Sequence, residues 1–96
     1  MSARRWIEEL GDDELLTADG FDDAILGIAE GWFPAKSGGT TRARVVAYDY
    51  HACLGILASR DGMSETDAKE FMEFNVLGAY VGERTPIFII RARSSA

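Results

Sequence analysis

The hydrophobic patterning of this chain predicts a small α+β domain in the order α-β-β-α-α-β, with helices on one face of a short, mainly antiparallel sheet. Three observations carry that reading. An alternating run at Arg42–Tyr48 follows the turn-forming stretch Pro34–Thr41. Two helix-period segments flank Asp61-Gly62, and an apolar run, Ile87–Ile90, closes the pattern after Thr85-Pro86. The 96 residues leave room for one domain, residues 1–96. A chain of this size buries only about 60–65% of its unfolded surface, so a homodimer is a natural way to bury more.

The first segment, Ala3 to Leu16, sets Trp6, Ile7, Leu10, Leu15 and Leu16 among charged residues. Trp6–Leu10 and Ile7–Leu10 have helical spacing, which predicts a short or broken helix. Gly11 interrupts it, and Asp12 or Asp13 is placed to cap a second piece through Leu16. Residues Phe21–Phe33 read two ways. Asp22-Asp23-Ala24 suits a first helical turn, but Gly27 and Gly31 each cost a helix about 1 kcal/mol. A strand over Ile25–Phe33 is favoured, paired through the loop with Arg42–Tyr48 as a hairpin.

Asp49 is placed to cap a helix over Tyr50–Ser59, whose apolar stripe is Cys53, Leu54, Leu57 and Ala58. Gly62 suits the left-handed residue that ends it. Ser64-Glu65-Thr66-Asp67 then begins a second helix with the stripe Ala68, Phe71, Met72, Asn75, Val76 and Ala79, ending near Gly78. On that stripe Asn75 is buried, its amide bonding the Gly78–Gly82 backbone or contacting a ligand. Ile87–Ile90 is apolar on both faces, the pattern of a strand in the middle of a sheet, and residues 91–96 form a frayed basic tail.

Charge is distributed unevenly. Residues 1–31 hold nine acids, Glu8, Glu9, Asp12, Asp13, Glu14, Asp19, Asp22, Asp23 and Glu30, against Arg4 and Arg5, within an overall net charge of −6. This repels nucleic acid and attracts basic surfaces, so direct nucleic-acid binding is not expected. Lys36, Arg42 and Arg44 form a local basic patch that reads as a solvated hairpin. The single cysteine excludes an internal disulfide and fits a reducing compartment. With no signal-peptide pattern and no span-length apolar run, a cytoplasmic protein without a membrane partner is expected.

The inventory of reactive groups predicts a protein that is not an enzyme and takes no metal and no cofactor. His51 and Cys53, two apart on a helix, point away from each other and form no nucleophile–base pair. Two such residues are too few for structural zinc. Asp12-Asp13-Glu14 lacks calcium-loop spacing, and Gly38-Gly39 lacks the phosphate-loop motif. Glu70 and Glu73, three apart, read as a solvated helix face.

One block stands apart. Residues Glu73-Phe74-Asn75, Gly78-Ala79-Tyr80-Val81-Gly82-Glu83 and Thr85-Pro86, with Tyr48-Asp49-Tyr50-His51-Ala52-Cys53-Leu54 and Asp61-Gly62-Met63-Ser64, resemble a family of small tailed-bacteriophage proteins. The resemblance spans residues 45–90 and departs at His51, where the family carries an acid. It brings no activity; it implies phage or prophage origin, with Asp49, His51, Glu73, Asn75, Glu83 and Thr85 as candidate motif positions.

Three readings follow. The first is an anti-defence protein resembling an anti-CRISPR, whose N-terminal acids imitate duplex charge and occupy the basic surface of a host protein or nucleoprotein complex. The second is a small-ligand or peptide-binding module using the Asn75–Pro86 turn and His51. The third is a homodimer that scaffolds through Ile87–Ile90.

Overall fold

The computed structural model describes residues 2–92. Its elements are helix α1 (Ala3–Glu9), a single 3-10 turn (Asp22–Ala24), strands β1 (Ile25–Pro34) and β2 (Thr40–Asp49), helices α2 (Tyr50–Asp61) and α3 (Glu65–Phe71), a π-helical continuation (Met72–Leu77) and strand β3 (Ile87–Ile89). The fold is α+β in the expected order, around a three-stranded mixed sheet ordered β1-β2-β3. The long β1–β2 pairing is antiparallel, from Ile25 opposite Tyr48 to Pro34 opposite Thr40. The β2–β3 pairing is parallel and short, with Ala47, Tyr48 and Asp49 opposite Ile87, Phe88 and Ile89.

Local chemistry explains the boundaries. The Ser2 hydroxyl accepts from the Arg5 N–H to start α1. The Asp49 carboxylate accepts from the Ala52 N–H, and the Ser64 hydroxyl from the Asp67 N–H, so both expected caps open α2 and α3. Gly62 ends α2 at φ 67°, the left-handed conformation that lacks a Cβ penalty.

A single apolar cluster joins sheet and helices: Val46 and Tyr48 from β2, Ile7 from α1, Phe21 and Ala24 before β1, Cys53 and Leu57 from α2, and Ala68 and Met72. The alternation of β2 puts Val46 and Tyr48 on the helix side, while Ala43, Val45 and Ala47 are buried on the other. The central strand is therefore β2.

Several expectations change. Ile87–Ile90 does not lie mid-sheet: β3 is an edge strand, because the one run buried on both faces is in β2. Phe88 stacks on Tyr48 at 5.2 Å between centroids, whereas Ile90 is 71% exposed. No second helix follows Gly11: the Asp12 carboxylate accepts from the Glu14 N–H, closing a side-chain turn that competes with helix. Asn75 is exposed rather than buried. The i→i+5 winding that begins at Met72 turns the chain less per residue than an α-helix, so Asn75 falls short of the line continued from Ala68 to Met72. Ala58, expected on the α2 stripe, is exposed too, and Ile56 takes a half-buried place instead. The N-terminal part of the basic tail, Arg91, is tied to Asp49 at 3.2 Å, and residues 93–96 lie outside the described residues.

Candidate functional site

A cleft of about 610 Å³ opens beside the helices and the edge of the sheet. One wall is the irregular segment between α1 and the 3-10 turn, through Leu16, Ala18 and Phe21. The opposite wall is Phe71, Asn75, Val76 and Ala79 at the end of the α3–π helix, and the turn residues Val81, Thr85 and Pro86 close one end. Phe88 of β3 also lines it, and the polar side chains on the lining are those of Thr17, Asp19, Asn75 and Thr85.

Each wall is held by specific bonds. The backbone N–H of Ala18 donates to the phenol oxygen of the fully buried Tyr48 at 2.6 Å. Burial pushes the Tyr48 hydroxyl above its ordinary pKa, against the opposing effect of that N–H. Arg60 donates to the carbonyl of Gly20 at 2.7 Å and lies 5.8 Å from the centroid of the Phe21 ring. Arg84 donates to the carbonyl of Arg44 at 3.2 Å and pairs with both Asp12 and Glu14, tying the irregular segment to the sheet.

The turn at the end of the cleft is built by Thr85. Its hydroxyl donates to the Gly82 carbonyl at 2.6 Å and accepts from the Val81 N–H at 2.9 Å. Tyr80 anchors the same turn to the hairpin by donating its phenol proton to the Pro34 carbonyl at 2.7 Å. Gly82 is buried at φ 113°, and a Cβ there would meet Lys36 Cε at 3.2 Å. The Gly-Ala-Tyr-Val-Gly-Glu…Thr-Pro block thus folds into one wall of the cleft.

The predicted site residues fall into different places. Of the nine N-terminal acids, six have an arginine partner: Glu8 and Asp22 pair with Arg4, Glu9 with Arg5, Asp12 with Arg44 and Arg84, Glu14 with Arg84, and Glu30 with Arg42. Asp13, Asp19 and Asp23 are exposed and form no ion pair among the described residues. The acids therefore do not make one uncompensated face. Lys36, Arg42 and Arg44 likewise do not form a free basic patch, since both arginines face acids.

Of the motif positions, Asn75 and Thr85 line the cleft, and Glu83 lies in the adjoining depression with Asp13, Glu14, Lys36 and Arg84. Asp49 is the cap of α2; its carboxyl is held below the usual range by the Ala52 N–H and by Arg91. His51 is exposed, edge-on to Tyr50 at 5.5 Å, and does not line the cleft. Glu73 is exposed on the π segment. Cys53 is buried, and desolvation, with Asp49 nearby, pushes its thiol to about 11.

The Asn75–Pro86 part of the lining was expected as a ligand site, whereas Leu16, Ala18, Phe21, Phe71 and Phe88 were missed as site residues. The available signal was the density of large apolar residues in Phe71-Met72-Glu73-Phe74-Asn75-Val76-Leu77-Gly78-Ala79-Tyr80-Val81, more than one helical stripe can bury. Phe74, Leu77, Tyr80 and Val81 indeed remain exposed. Chemically, the cleft offers apolar contact with polar side chains at four lining positions. Among the described residues, no group of three or more His, Cys, Asp or Glu is arranged to hold a metal ion, and no helix is long and apolar enough to cross a membrane. Comparison with protein-family models, with curated proteins and with solved structures finds no match to this chain.

Proposed function

We propose that this protein is a non-catalytic binding module that takes an apolar portion of a partner molecule into the cleft between Leu16–Phe21 and Phe71–Val81. The observation that carries this reading is the cleft itself: about 610 Å³, walled by aromatic and aliphatic side chains with polar groups confined to four positions. Exposed Phe74 and Val81 extend the apolar surface at its borders, as binding sites do. The π-helical winding at Met72–Leu77 also supports it, since such segments concentrate at functional sites.

A neutral solvatochromic dye such as Nile red tests the reading. Its emission should shift to the blue with the native protein, and Ala79→Trp, which places an indole in the cleft, should abolish the shift while circular dichroism stays unchanged. Leu16→Asp should weaken it. Dye binding that ignores both substitutions overturns the cleft as the site.

A second reading, the acidic decoy directed at a basic nucleic-acid channel of a host defence complex, keeps support from the three exposed carboxylates of Asp13, Asp19 and Asp23, which form no ion pair among the described residues. Its partner should be released by rising salt and by reversing those three residues to lysine. Retention of the partner through both changes excludes it.

A further inference from the structure

We propose that the cleft's partner is a basic amphipathic polypeptide segment, apolar side chains entering the groove and lysines or arginines lying along its rim. This deepens the proposed function and rests on the cleft being the site. The cleft does not stand alone. It shares Phe71 and Asn75 with a depression of about 370 Å³ that also takes in Met63 and Phe74. At its other end it shares Leu16 and Val81 with one of about 320 Å³. These shared lining residues set the three side by side, and we take them together as one trough, longer than a single apolar side chain needs.

Acids outnumber cations around this trough. Asp67 and Glu70 border the first depression, Asp19 the central cleft, and Asp13, Glu14 and Glu83 the far end. The cations that border it are Lys36 and Arg84, and Arg84 already pairs with Asp12 and Glu14. An apolar floor between carboxylates is complementary to a segment with an apolar face and flanking cations, and it opposes an acidic one. The overall net charge of −6 acts in the same sense at longer range.

The decisive experiment uses three synthetic amphipathic peptides of equal length and leucine spacing, each about five helical turns long. Their polar positions are lysine, glutamine or glutamate, and binding is followed by fluorescence anisotropy at low and high salt. The lysine peptide should bind at least about tenfold more tightly than the glutamine peptide at low salt, and the glutamate peptide weakest. Ala79→Trp should remove lysine-peptide binding. A rim variant, Glu70→Lys with Glu83→Lys, both outside the central cleft, should bring the lysine peptide down to the glutamine peptide's affinity while Nile red binding is kept.

Glutamine and lysine peptides binding equally, with Nile red still sensitive to Ala79→Trp, overturns the basic partner and leaves the apolar cleft standing. Lysine-peptide binding that survives Ala79→Trp also overturns it, showing attraction to net charge alone. Nile red indifferent to Ala79→Trp fails the cleft reading beneath both.

Discussion

Asp49 shows how one side chain can look like a site residue and be a structural one. It carries a motif-like carboxylate, yet its oxygens accept from the Ala52 N–H at 3.2 Å and from Arg91 at 3.2 Å, at the junction of β2 and α2. Those bonds hold its pKa below the ordinary 3.8. A folded pKa below the unfolded one stabilises the fold above the unfolded value, and that contribution is lost as pH falls through the folded one. Asp49→Ala should cost about 1 kcal/mol of unfolding free energy at neutral pH, as removal of a helix cap does. The difference from native should shrink as the pH is lowered through the carboxylate range, which urea titrations at a series of pH values will read. Cys53 makes the same point for a nucleophile: a thiol buried and pushed to about 11 stays protonated at neutral pH. Asn75 is the reverse case. Expected inside, it sits exposed on the cleft wall, and no residue-level pattern signals the π winding that puts it there.

At the scale of elements, the sequence was most legible where a local rule has a local cause. The Asp49 and Ser64 caps and the Gly62 stop were readable because each depends on residues within one turn of the chain, and the hairpin because its strands adjoin a short turn-forming loop. The turn of residues 81–85 is equally local. Here Thr85 bridges Val81 and Gly82 through its hydroxyl. Thr85→Val keeps the shape but removes both bonds, and we expect it to destabilise the protein by about 1–2 kcal/mol. It should also reduce Nile red binding, since Val81 and Thr85 both line the cleft. Equilibrium unfolding paired with the dye assay checks both effects; unchanged dye binding would separate the turn from the site. The position of β3 was not legible. An apolar run reads the same whether it is central or lies at an edge with Phe88 on the core and Ile90 in solvent.

Across the whole molecule, the acidic segment changes meaning on folding. Linear charge suggested an open negative surface, but the chain brings Arg84 back to Asp12 and Glu14, Arg44 to Asp12, and Arg42 to Glu30. The tie at Arg84 connects three distant stretches, residues 12–14, the β2 carbonyl of Arg44 and the 81–85 turn. Arg84→Gln should cost about 1 kcal/mol, the scale of a partly exposed ion pair with a backbone hydrogen bond. It should also speed hydrogen exchange at residues 12–18 without altering that of the α2 core, which amide exchange by NMR will resolve. The sequence by itself determined the order of elements, their caps and stops, the hairpin and the bulk of the core, because periodicity and capping act over a few residues. Tertiary structure alone decided which acids are neutralised, that β2 rather than β3 is central, and that Leu16, Phe71, Val81 and Phe88 meet around one cleft. Those outcomes depend on which distant side chains come within a few ångströms of each other, and spacing along the chain carries no such distance.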